Sequence, residues 1–243
     1  MTAAIRYLLR TVVPRRARIP LLKFSADFVD WITKILLGVD TIWRQEPRFV
    51  SLYKELSNTL VLNWRSAYVL YQCAKNCASL NADFAEVGVF RGGSAKIIFE
   101  AADRLPQHSF YLFDTFSGLP VSYNDCDKFW RRGGFHDTCL DDVRVLLHQP
   151  NFCFVKGVFP DAARELPDNL TFAFVHVDPD LYHPVLDACR FFYPRLVRGG
   201  VIFFDDYGLV TCPGVKMAVD EFFKDTPEQP VSLATGQCMV IKQ

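Results

Sequence analysis
From residue 83 onward the chain takes turns between short continuous apolar runs and segments whose apolar residues recur every three or four positions. The runs are 84–89, 110–113, 152–155, 170–177 and 197–204; the periodic segments are 94–102, 140–147, 160–166, 184–193 and 214–223. Continuous runs of this length predict buried parallel strands, and the periodic segments predict the helices between them. Two further runs, 231–233 and 238–241, predict a terminal antiparallel hairpin. Upstream, residues 27–80 read as helical throughout, with Phe28, Trp31, Ile32, Ile35 and Leu36 on one face. A second helical face carries Trp64, Ala67, Tyr68 and Tyr71, with Asn63 as its N-cap. The expected fold is therefore α/β. It is a doubly wound, mostly parallel, seven-stranded Rossmann-like sheet with a helical N-terminal extension. The expected division places the extension at 1–80 and the sheet domain at 81–243.

Two of the runs end in carboxylates. The first closes Val177-Asp178-Pro179-Asp180-Leu181-Tyr182, the second Phe204-Asp205-Asp206-Tyr207. The crossover between parallel strands brings both C-terminal ends to one sheet edge, where open α/β sheets bind ligands. Four carboxylates gathered there repel one another unless a cation compensates them. Mg²⁺ or another hard divalent ion is the expected occupant.

Composition narrows the picture. The 243 residues are 50% hydrophobic and carry a net charge of +0. That balance gives no reason to expect a nucleic-acid partner. The eight cysteines, at 73, 77, 126, 139, 153, 189, 212 and 238, show no CxxC pair and mostly lie in apolar surroundings. They read as reduced thiols of a cytoplasmic protein, and Cys73 and Cys77 as one face of a core helix. No run reaches the ~18 apolar residues of a transmembrane helix. The first 26 residues are basic, with Arg6, Arg10, Arg15, Arg16, Arg18 and Lys23. They suit a membrane-surface helix, a transit peptide, or a helix packed on the body or on a partner subunit in a dimer or tetramer.

The long irregular stretch 117–138 is rich in Gly, Pro, Asp and Asn yet holds Phe129, Trp130 and Phe135. Loops this long inside a compact domain are usually functional. The expectation is a lid, with Arg131, Arg132 and His136 as substrate contacts; the alternative is an ordered surface loop.

The first strand runs into Glu86-Val87-Gly88-Val89-Phe90-Arg91-Gly92-Gly93-Ser94. Glycines there allow close approach of a ligand, and the following helix offers free N–H groups. The dinucleotide and P-loop fingerprints are both absent. Glu86 suits an ammonium rather than a pyrophosphate, and Asp114, ending the next strand, suits a ribose diol. An amino-acid-bearing nucleoside, S-adenosylmethionine, fits both.

Five ordered segments carry a resemblance. They are Phe84-Ala85-Glu86-Val87-Gly88-Val89-Phe90-Arg91-Gly92-Gly93-Ser94-Ala95, Phe113-Asp114-Thr115-Phe116-Ser117-Gly118-Leu119-Pro120 and Lys156-Gly157-Val158-Phe159-Pro160-Asp161, then Val175-His176-Val177-Asp178-Pro179-Asp180-Leu181-Tyr182 and Asp205-Asp206-Tyr207-Gly208. The chain resembles the macrocin O-methyltransferase family, which methylates sugar hydroxyls of macrolides and similar natural products. The resemblance implies a class I methyltransferase fold, S-adenosylmethionine as donor and a divalent metal, usually Mg²⁺. Carried over by position, Asp178, Asp205 and Asp206 resemble the metal carboxylates and Asp180 the general base, with His136 as second candidate. On the donor side the matching positions are Thr59, Glu86, Gly88, Arg91, Gly92, Gly93, Ser94, Asp114, Thr115, Gly157 and Phe159, together with Asp178. Pro179 departs from the family, which more often has alanine there.

The expected reaction moves a methyl group to one hydroxyl of a vicinal diol on a glycoside or polyol. For Asp180 the alternative is a helix N-cap or a group orienting the metal ligands. Asp178-x-Asp180 also resembles the DxD motif of nucleotide-sugar glycosyltransferases and the aspartate motif of haloacid-dehalogenase-type phosphatases. Three strands precede it here, against the phosphatase order. A non-catalytic cofactor-binding relative is the remaining rival.

Overall fold
The computed structural model describes residues 42–243 except 106, 121–123, 128, 130 and 131. The basic N-terminus, the helix expected around Phe28–Leu36, and the lid residues Trp130 and Arg131 lie outside the described residues. Seven strands form one sheet: β1 Asp83–Val87, β2 Phe110–Asp114, β3 Phe152–Lys156, β4 Phe172–Val177, β5 Leu196–Phe204, β6 Val231–Ser232 and β7 Cys238–Ile241. Their order is β3-β2-β1-β4-β5-β7-β6. Neighbours among β1–β5 are parallel, whereas β7 runs antiparallel between β5 and β6. The expected doubly wound sheet with its closing hairpin is thus the observed one.

Helices cover both faces because the central strands β1, β2 and β4 and the C-terminal half of β5 bury both sides. Alternate residues of one strand enter different cores: Phe84, Phe110, Phe174 and Phe203 one, Ala85, Phe113, Val175 and Ile202 the other. Against the first face pack α1 Pro47–Glu55, α2 Trp64–Cys77, α3 Gly93–Ala101 and α4 Leu140–Leu146. Against the second pack α5 Tyr182–Phe192 and α6 Pro213–Phe223. Phe49, Tyr71, Phe84, Phe99 and Phe110 are all at most 1% exposed in the first core, so residues 42–80 share that core with the sheet. Each such aromatic contributes about 1.5–3 kcal/mol by burial.

Three expectations about elements needed correction. The region read as helical throughout is broken at 56–63, where the chain turns before Asn63 starts α2. Asn63 does cap that helix, accepting from the Arg65 and Ser66 amides at 3.0 and 3.1 Å. The helix expected over 160–166 is only the 3-10 turn Asp161–Ala163. The start of the helix between the acidic strands lies two residues earlier than expected, at Tyr182, which leaves Asp180 just outside it.

The cysteines are free thiols, and Cys73 and Cys77 lie on α2, with Cys77 buried. Burial pushes Cys73 up to about 11 and Cys77 up to about 12, so both stay protonated. No helix among the described residues is long and apolar enough to cross a membrane.

Candidate active site
The C-terminal ends of β1 and β4 meet closely. The Asp178 amide donates to the Val87 carbonyl at 2.8 Å, and a Cβ at Gly88 would stand 2.2 Å from the Asp178 carbonyl oxygen. Gly88 also has φ +89°, where only glycine is unstrained. A Cβ at Gly93 would stand 2.7 Å from Leu60 Cα and 2.9 Å from Thr59 C, which seats the 59–60 turn on the start of α3. Thr59 itself donates to the Leu56 carbonyl at 3.3 Å.

Asp114 has a structural task in the fold beyond the ligand contact expected from the sequence. Asp114 Oδ2 accepts from the Val89 and Phe90 amides at 2.7 and 2.8 Å, and its Oδ1 from the Phe116 amide at 2.6 Å. It braces the glycine-rich turn from the neighbouring strand. Thr115 donates to the Gly118 carbonyl at 2.7 Å and closes the next turn. Arg91 reaches outward instead. It donates to the Asn58 carbonyl at 3.0 Å, the Asp137 carbonyl at 3.0 Å and the Asp137 carboxylate at 2.7 Å. Thr138 donates to the Phe90 carbonyl, so residues 137–138 are fastened to the glycine-rich turn. Gly92, at φ +80°, is the N-cap of α3, and Ser94 is buried in its first turn. Gly157 follows β3, and Phe159 packs on Phe113 and Phe192 inside the second core.

Glu86 is fully buried and its Oε1 lies 2.7 Å from His176 Nδ1. The register Glu86↔His176 makes them cross-strand neighbours. Glu86 Oε2 and His176 Nε2 have no hydrogen-bond partner among the described residues.

Asp178, Asp205 and Asp206 come together as expected: each offers an oxygen, all within 4.8 Å of one another. Burial pushes the Asp178 carboxyl well above the usual range, and the charges of Asp205, Asp206, Asp180 and Glu86 push it further. Burial, then the Asp206 charge, raises Asp205 to about 6, against the opposing pull of His176 and the Gln237 amide. The donor set is all oxygen, partly buried and mutually repelling, which fits a hard divalent cation. Asp180, 8% exposed, joins a second grouping with Asp206 and Cys212 within 4.8 Å. Cys212 Sγ lies 3.5 Å from Asp180 Oδ1 and 3.2 Å from Asp206 Oδ2. Asp180 and Asp206 both adopt left-handed backbone, φ 61° and 47°, a strain that concentrates at functional sites. Asp180 is not the N-cap of α5; that position is Leu181. His136 lies beside Gly118, with Nδ1 2.7 Å from the Gly133 carbonyl, and is in neither carboxylate grouping.

Four residues of this edge escaped the sequence reading. Gln237 donates to Asp205 Oδ1 at 2.6 Å and to the Ser66 carbonyl at 3.3 Å. In the sequence Cys212 is one of eight reduced thiols, His176 has no assigned role, and Asp127 is one acidic residue of the irregular stretch 117–138. A histidine inside a continuous apolar run was the one available signal.

A parallel sheet flanked by helices on both faces, closed by an antiparallel hairpin and carrying an acidic cluster at its C-terminal edge, defines the Rossmann-like class I methyltransferases. The macrocin O-methyltransferase (TylF) family model matches residues 69–232. The chain belongs to that family, and it is an O-methyltransferase. It is 29% identical over 228 residues to the demethyldecarbamoylnovobiocin O-methyltransferase of Streptomyces niveus, covering 82% of this chain and 86% of that protein. It is also 29% identical over 144 residues, 54% of each chain, to the 8-demethyl-8-(2,3-dimethoxy-alpha-L-rhamnosyl)-tetracenomycin-C 4'-O-methyltransferase of Streptomyces olivaceus. The solved structure of the O-methyltransferase NovP superposes with TM-score 0.67 at 25% identity, covering 76% of this chain and 82% of that one.

Proposed function
We propose that this chain methylates one hydroxyl of a sugar on a small glycoside, using S-adenosylmethionine as donor and a divalent cation, Mg²⁺ or a relative. The observation that carries the metal is the convergence of Asp178, Asp205 and Asp206 within 4.8 Å. The relatives' names, which specify a rhamnosyl-tetracenomycin 4'-O-position and demethyldecarbamoylnovobiocin, support the substrate class. Family membership favours methyl transfer over the glycosyltransferase and phosphatase readings of Asp178-x-Asp180.

Asp178, Asp205 and Asp206 would hold the cation, which when bound lowers the pKa of an acceptor hydroxyl and favours a vicinal diol. Asp180 takes the hydroxyl proton, its carboxylate being beside the cluster and outside the three-ligand set. The acceptor oxygen then forms a bond to the methyl carbon as the sulfur–carbon bond breaks, leaving S-adenosylhomocysteine. On the donor side, the buried Glu86 Oε2 has an acceptor valence for the ammonium. Asp114, at the C-terminal end of β2, would meet the ribose there while it braces the turn. We place the enzyme in the cytoplasm, where its free thiols stay reduced, and expect a homo-oligomer.

Label transfer from S-adenosylmethionine to a panel of rhamnosides and other deoxysugar glycosides tests the reading. Turnover lost in EDTA and restored by Mg²⁺ is expected. Undiminished turnover in chelator sinks the metal, and no turnover on any glycoside sinks the substrate class.

A further inference from the structure
Asp180 precedes α5 by two residues, yet the N-cap of that helix, Leu181, supplies no side-chain hydrogen bond. A helix start leaves backbone N–H groups without intrahelical acceptors. Here one of them is satisfied from far along the chain. The Tyr182 amide donates to both carboxylate oxygens of Asp127, each at 3.2 Å. Asp127 ends the 3-10 turn Asp125–Asp127 within the long connection between β2 and α4, and it is 2% exposed.

The same carboxylate also lies against α6. A Cβ on Gly214, in the first turn of that helix, would come 2.3 Å from Asp127 Oδ1 and 2.9 Å from Tyr182 Cβ. α6 likewise starts without a side-chain cap, at Cys212, the residue whose thiol touches Asp180 and Asp206. Asp127 therefore sits where two helix N-termini meet, and aligned peptide dipoles favour a negative charge there. Asp180 needs such support, because its left-handed backbone, φ 61°, is unfavourable for a residue with a side chain.

We propose that Asp127 is a positioning residue for methyl transfer: it completes the start of α5 and thereby holds Asp180 in the orientation from which it takes the acceptor proton. The proposal rests on the glycoside methyltransferase reading above. It goes beyond that reading by giving the connection a mechanical part in catalysis. Damage to the Asp127 contact should appear in turnover and leave donor binding unaffected, because the donor turn is braced separately by Asp114.

Three variants test it: Asp127→Ala, Asp127→Asn and Gly214→Ala. Two readouts are needed, amide hydrogen exchange across 178–186 and methyl transfer from labelled S-adenosylmethionine to 4-nitrophenyl α-L-rhamnopyranoside. Asp127→Ala should speed exchange at the Tyr182 amide about tenfold, as loss of a helix cap does. It should also lower kcat by about tenfold or more, with KM for S-adenosylmethionine unchanged. Asp127→Asn keeps an acceptor oxygen and should recover most of both. Gly214→Ala changes no hydrogen-bonding group, yet should reproduce Asp127→Ala by displacing the carboxylate. Faster exchange with unchanged kcat would make the contact a structural cap only and overturn the proposal, as would unchanged exchange in Asp127→Ala. If Asp127→Ala does not fold, Asp127→Asn against Gly214→Ala decides by the same criteria. A wild-type enzyme inactive on the rhamnoside counts against the glycoside reading, and the exchange arm still decides whether Asp127 holds α5.

Discussion

The glycine-rich turn after β1 and the acidic edge at the ends of β4 and β5 adjoin each other, yet they treat charge in opposite ways. At the glycine-rich turn the carboxylate of Asp114 meets three backbone N–H groups, and Arg91 meets two carbonyls and a carboxylate. At the acidic edge, Asp178, Asp205 and Asp206 face one another, and burial and repulsion raise the carboxyls of Asp178 and Asp205. The first region is satisfied by the chain itself. The second has excess negative charge that a cation would neutralise. Removing a carboxylate should therefore have opposite consequences for stability in the two places.

The largest effect belongs to chemistry. Asp180→Asn should lower kcat by roughly 10²–10⁴ while the melting temperature stays within a degree or two, measured by label transfer and calorimetry. Turnover close to wild type would remove Asp180 as base. Next in size, Asp114→Ala should destabilise the protein by about 2–4 kcal/mol, because the Val89 and Phe90 amides lose a charged acceptor. Denaturant unfolding measures this; a loss below about 0.5 kcal/mol would contradict the bracing role. The smallest effect has the reverse sign. Asp205→Asn, in EDTA at neutral pH, should stabilise the protein by up to about 3 kcal/mol. The folded protein binds the Asp205 proton more tightly than the unfolded chain does. The penalty is therefore absent well below pH 3.8, grows as pH rises through that value, and is complete above about 6. Unfolding curves from pH 4 to 8 should show that slope in wild type and a shallower one in the variant. Equal slopes would mean the repulsion is relieved some other way.

Much of this was legible because the central strands are buried on both faces. A fully buried strand such as β4 must be a continuous apolar run, and its carboxylate tip then marks the sheet's edge. Helix starts were readable where the cap is local, as at Asn63. They were misread where it is not: the Tyr182 amide is capped by Asp127, 55 residues earlier, and nothing in the local sequence reveals such a partner. The pairing of Glu86 with His176 depends on the register between β1 and β4, and the hold of Gln237 on Asp205 on the insertion of β7 beside β5. Neither register is written in any single segment. Asp114 shows a subtler gap. Its type and position suggested a ligand contact, while its first duty in the fold is to the backbone of the adjoining turn.

Gly88 and Gly93 set a limit on how this enzyme can be re-engineered. At both, the first added carbon would meet main chain, the Asp178 carbonyl oxygen at 2.2 Å and Leu60 Cα at 2.7 Å, not a side chain able to swing aside. Even alanine, the smallest exchange, would force two strands or a helix and its neighbouring turn apart. A variant library that randomises the donor turn in search of altered methyl donors would therefore lose every member changed at these two codons. Diversity is better spent at positions such as Val158, 46% exposed just after β3, where new side chains meet solvent instead of backbone.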